Sequence, residues 1–178
     1  MTSVYSVNDY VRYASNGICK ISAITVKKFH GNTEGMEYYV LNPISNPQNM
    51  IYVPTGNEHL TSKMCRILSK AELNQLIMSS KIEEMPWLDD RKERNELFSG
   101  VLSRCDQQEL LKLIRCIYAR KHELLELDRK LSSTDEGVLK QAENMIQSDF
   151  SFMLGISENE VASYVRELLD INEDLTEN

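Results

Sequence analysis

The hydrophobic period of this chain changes at Ser69, and that change limits its fold more than any other feature. Before Ser69, apolar residues come in short β-branched and aromatic runs; after it they recur at helical spacing. The early runs are DYVRYA, GICKISAITVKKF, MEYYVLNP and NMIYVP, separated by SNG, HGNTEG and SNPQ, which supply turn residues. KMCRIL, from Lys63, is a candidate fifth strand. Short antiparallel strands packed into so little chain predict a small, strongly bent sheet or an SH3/Tudor-like barrel, usually a binding module.

From Ser69 onward, capping signals mark a series of helices. SKAE at Ser69 is a capping box opening a helix to about Ser80, and Pro86 keeps Met85 out of helix. A second helix is expected from Leu88 to about Leu102. DQQE at Asp106 opens a long one with an apolar stripe of Leu110, Leu113, Ile114, Ile117, Leu124, Leu127 and Leu131. Its opposite face carries Lys112, Arg115, His122 and Arg129. STDE at Ser133 opens a fourth helix, with Leu139, Ala142, Met145, Ile146 and Met153 on one side and Gly155 as its C-cap. SENE at Ser157 opens the last, striped by Val161, Val165, Leu168 and Leu169, and the final NEDLTEN should fray. The expected fold class is α+β: residues 1–68 a β-module and residues 69–178 an all-α bundle.

Charge divides the chain as well. The net charge of −7 is concentrated in residues 131–178, where eleven acids face two basic residues, while residues 87–130 carry ten basic against nine acidic groups. Phosphate would be repelled by the acidic tail, so a nucleic-acid surface belongs in the middle segment. No apolar run is long enough to span a bilayer and the N-terminus lacks a signal-peptide pattern, so a cytoplasmic protein is expected. Cys19, Cys65, Cys105 and Cys116 show no CxxC spacing and are expected as reduced thiols, not a metal site.

Enzyme chemistry has little support. His30, His59 and His122 are scattered, with no HExxH, GxSxG, Walker A or GxGxxG pattern, so neither a catalytic site nor a cofactor is expected. A cysteine nucleophile is the minor enzymatic alternative. LGISENEVASYVREL, from Leu154, looks like a helix-turn-helix, but its second helix is acidic where phosphates would lie, and an αα-corner at Gly155 is the better reading. The Trp87 stretch is the stronger nucleic-acid candidate. The only tryptophan is followed by Arg91, Lys92, Arg94 and Arg104, so an apolar wedge or stacking ring would stand beside phosphate-binding cations. From the residues alone, Trp87 as a packing staple between its flanking helices outweighs the wedge.

YSVNDYVRYASNGICKI, MEYYVLNP, IYVP, WLDDRKER, IRCIYARK, LSSTDEGVLKQAENMI and LGISENEVASYV, in this order and spacing, resemble the CarD family of bacterial RNA polymerase-binding transcription regulators. The resemblance implies a Tudor-like N-terminal domain that docks on the RNA polymerase β subunit. Lys27 and Tyr52 fall at its polymerase-contacting positions, with Ile51, Val53 and Pro54 beside them on an exposed edge strand able to pair with the polymerase through backbone bonds. It also implies a helical domain on promoter DNA at the upstream edge of the transcription bubble. There Trp87 acts as a minor-groove wedge that stabilises the open complex, with Arg91, Lys92, Arg94 and Arg104 nearby. Two departures stand out: Tyr52 replaces a basic residue, and Asp89–Asp90 replaces a basic pair after the tryptophan. The alternative is a polymerase-docking protein whose helical domain binds another protein. A monomer is expected, although an open sheet edge also allows a strand-swapped dimer.

Overall fold

The computed structural model describes residues 5–28 and 35–174; all but the last residue of the HGNTEG turn and the end of NEDLTEN lie outside the described residues. Two compact units divide between Ile67 and Leu68.

The first unit is an antiparallel meander. Strands β1 (Tyr10–Tyr13), β2 (Ile18–Lys27), β3 (Met36–Pro43) and β4 (Ile51–Pro54) follow in chain order. A short helix α1 (Glu58–Thr61) then leads to β5 (Met64–Arg66). β5 realises the candidate strand in KMCRIL and returns to β1, so the five-stranded order is β4-β3-β2-β1-β5. A register shift between Ile21 and Ala23 breaks the β2–β3 ladder, and such a bulge bends and twists its strand. Alternation sends Val11, Tyr13, Cys19, Ile21, Tyr39, Leu41, Val53 and Met64 into one core. The Tyr5 hydroxyl donates to the Met64 carbonyl at 2.8 Å and ties the entering chain to β5.

The second unit holds α2 (Lys70–Ser79), α3 (Arg91–Arg104), α4 (Gln107–Glu126), α5 (Ser133–Leu154) and α6 (Glu158–Asp174). This α-helical unit follows the antiparallel sheet in the chain, which makes the fold class α+β. Leu73, Ile77, Phe98, Leu110, Leu113, Ile117, Ile146 and Phe150 build its core. The first four helices open on a side-chain cap from Ser69, Asp90, Asp106 or Ser132, and Ser69 with Glu72 forms the complete capping box. Gly155 ends α5 at φ 68°, the left-handed turn that glycine takes without steric cost.

Four local expectations need correction. α3 begins at Arg91, not Leu88, because the Asp90 carboxylate captures the Lys92 and Glu93 amides at 2.9 Å each. α5 is capped by Ser132, one residue before the expected Ser133, and this brings Asp135 instead of Glu136 into the cap. Leu127 leaves the α4 stripe: the helix stops at Glu126, Asp128 turns to φ 54°, and Leu127 is 66% exposed. Lys112 and Arg115 do not lie on a solvated face. Arg115 donates to the Ser80 carbonyl at 2.6 Å and Lys112 pairs with Glu83, because the segment after α2 runs across this side of α4.

Asp90 therefore has a structural duty that its neighbour lacks. Replacing Asp90 with Ala removes an N-cap and should cost about 1 kcal/mol in urea unfolding. Asp89→Ala, at an exposed position, should stay within about 0.5 kcal/mol of the parent.

Candidate functional site

The first unit presents an edge with an aromatic face beside it. β4 pairs with β3 on one side, and its far side is open among the described residues. Lys27 and Tyr52 lie on strands separated by β3, yet they meet. The Lys27 ammonium donates to the Tyr52 hydroxyl at 2.6 Å and sits 4.2 Å from its ring centroid. The Tyr52 ring stands edge-on to Tyr38 of β3, with centroids 6.3 Å apart. Met36 and Met50 are exposed close to these rings, and the tyrosine hydroxyls contact both sulfurs. The result is an aromatic and thioether surface carrying one ammonium.

Two of the expected docking residues pack their side chains on the sheet core. Val53 is fully buried and offers a partner only its backbone, while Ile51 is partly buried against the same core. This is compatible with the backbone pairing expected of the edge strand, and it follows from the alternation that turns Tyr52 outward. Pro54, which has no N–H, lies opposite Tyr38 at the end of the ladder.

In the second unit, Trp87 is half-buried at the rim of a cleft of about 560 Å³ whose walls include Met85, Pro86, Cys116, Tyr118 and Arg120. Its ring meets Phe98 edge-on at 6.0 Å. The Arg94 guanidinium lies 4.5 Å from its centroid and that of Arg120 5.5 Å. Arg94 is 8% exposed. It makes a two-point pair with Asp135 at 3.2 and 3.4 Å and donates to the carbonyls of Leu88 and Asp89 at 2.7 and 3.3 Å. Arg94 is therefore a structural brace for the loop after Trp87, which corrects its expectation as a phosphate contact. Four of the five N–H donors of this buried guanidinium are taken by its own chain.

The remaining expected cations are exposed but dispersed. Arg91 and Lys92 open α3 and share a shallow surface with Asn95, Glu96 and Ser99; Arg91 also donates to the Thr134 hydroxyl at 3.3 Å. Arg104 closes the same helix, about 20 Å away at 1.5 Å per residue, so it is not part of the Trp87 cluster. Arg120 was not among the expected residues, although it belongs to the IRCIYARK segment that carried part of the resemblance.

Charge on the cleft wall is partly neutralised from within. A hydrogen bond from Lys112 holds the Glu83 carboxyl below the ordinary carboxylate range, and Glu83 with Glu109 raises the Lys112 ammonium. The Glu83 tie is therefore intact above the usual carboxylate pKa and is lost as pH falls through the depressed one. Cys116 lines the cleft, but burial first and the Glu123 charge second push its thiol up, the reverse of what an activated nucleophile needs. Cys19 and Cys105 are buried and Cys65 is exposed. Among the described residues no group of three His, Cys, Asp or Glu side chains is placed to hold a metal ion. No helix among them is long and apolar enough to cross a membrane.

Residues 5–67 match the family model described as the CarD-like/TRCF RID domain. The match covers the whole sheet and supports the resemblance read from the sequence, giving the first unit the character of an RNA polymerase-interacting domain of a transcription factor. No curated protein matches the chain.

Proposed function

We propose that this chain is a non-enzymatic bacterial transcription regulator of the cytoplasm. It docks on the RNA polymerase β subunit through the open edge of β4 and the Lys27–Tyr52 face. It stabilises the open promoter complex by bringing Trp87, with Arg91, Lys92 and Arg120, to DNA at the upstream edge of the bubble. The observation that carries this reading is the family match over residues 5–67. The DNA half is supported by the position of the single indole, which packs on the helical core but stays partly exposed in the cleft beside two guanidinium groups. A chain of net charge −7 gains little from counterion release on free DNA. Docking on polymerase supplies a high effective concentration in its place.

Polymerase binding is tested with the full chain and core RNA polymerase from the same organism. Replacing Tyr52 with Asp removes the ring that carries Lys27 and places a carboxylate on the outer face of the edge strand. Truncating one central aromatic anchor typically costs 2 kcal/mol or more, so binding by Tyr52→Asp should weaken at least about tenfold. Equal binding by variant and parent would remove the β4 face from the interface. One observation favours a second reading, in which the helical unit binds another protein: Trp87 is braced on one face by buried Arg94.

A further inference from the structure

The two guanidinium groups over Trp87 are held very differently. Arg94 is buried and fixed by Asp135 and two carbonyls. Arg120 is tied through Nη1 to Glu123 at 2.9 Å, a pair one turn apart on α4 whose side chains are 31% and 62% exposed. Its Nε is buried without a hydrogen-bond partner among the described residues, so release from this position would free an unsatisfied donor. Exposed pairs of this kind are weak, and guanidinium binds phosphate through two parallel hydrogen bonds. Of the two guanidinium groups beside the ring, one is therefore fixed by buried partners and the other is held only by a pair that a phosphate can displace.

From this geometry we infer that Glu123 sets the affinity of the Trp87 site: it holds Arg120 over the indole in the free protein, and a DNA backbone phosphate takes its place when DNA binds. Glu123 acts as an internal substitute for phosphate. Arg120 then works in two positions, as a cover on Trp87 in one state and as a phosphate contact beside it in the other. The other cations of the cleft cannot share this role, because Lys112 is committed to Glu83 and Glu109 and Arg115 to the Ser80 carbonyl. The inference rests on the DNA role proposed above for Trp87.

The test compares the lifetime of a competitor-challenged open complex formed with the full chain or its variants. Glu123→Gln should lengthen it about two- to fivefold over the parent, and Arg120→Gln should shorten it. The double variant should match Arg120→Gln, since Glu123 acts only through Arg120. An equal lengthening by Glu123→Gln in both backgrounds would mean general loss of negative charge and would overturn the inference. A readout without DNA checks the cover: in free protein, acrylamide should quench the single tryptophan more strongly in Arg120→Gln than in the parent. Unchanged quenching would also overturn it. No effect of Glu123→Gln where Trp87→Ala abolishes the extension sinks this inference alone, whereas no effect of Trp87→Ala sinks the DNA reading beneath it.

Discussion

Arg94→Ala should lower the unfolding free energy of the helical unit by about 3–5 kcal/mol, the usual cost of removing one partner from a buried ion pair. The substitution leaves Asp135, 2% exposed, with the Ser132 hydroxyl at 2.7 Å but without its cation. It also leaves the Leu88 and Asp89 carbonyls without their donor and strips one face of Trp87. A loss of this size is a large part of the stability of a typical domain. Urea unfolding followed by tryptophan fluorescence reports the right unit, because the only tryptophan belongs to it. Arg91→Ala, at the exposed start of the same helix, should change stability by no more than about 0.5 kcal/mol. Equal effects of the two variants would show that the Arg94–Asp135 pair does not brace this unit.

Phe98→Ala should be comparably damaging, at about 3–5 kcal/mol, for a different reason. Phe98 is fully buried at the centre of the helical core, so truncation leaves a cavity that surrounding helices fill only in part. It also removes the edge contact that limits how far Trp87 can move inward. The emission of the folded variant should therefore change along with its stability. Phe98→Leu keeps most of the volume and should cost clearly less. If Phe98→Ala unfolded no more readily than Phe98→Leu, the packing described around Trp87 would be wrong.

The sequence made local order legible and long-range pairing illegible. The β-branched and aromatic runs MEYYVLNP and IYVP marked two strands, because strand period is a local property, but Val53 was grouped with Tyr52 although the alternation turns it into the core. Ser69 and Asp106 announced their helices for the same reason: a cap and its amides lie within three residues of each other. The Trp87 site was only half visible. The indole stood out among charged neighbours, but Arg94 looked like another exposed cation, and only the fold pairs it with Asp135, 41 residues away. Lys112 and Arg115 were misplaced because helical periodicity describes one helix and says nothing about the chain that later covers its polar side. Arg120 was missed because its link to Trp87 depends on α4 passing beside the loop after α2. Asp89 and Asp90 looked equivalent until the start of α3 gave one of them a capping role.

The most direct test of the account is the lifetime of a competitor-challenged open complex on a ribosomal-type promoter, using RNA polymerase from the same organism. Three reactions are compared: the full chain, its Trp87→Ala variant, and no added protein. The account predicts a longer lifetime with the parent chain and a return to the unassisted value with Trp87→Ala, while both proteins bind polymerase equally. An extension of equal length by both, or by neither despite confirmed polymerase binding, would contradict a DNA face at Trp87 and leave the helical unit to a protein partner.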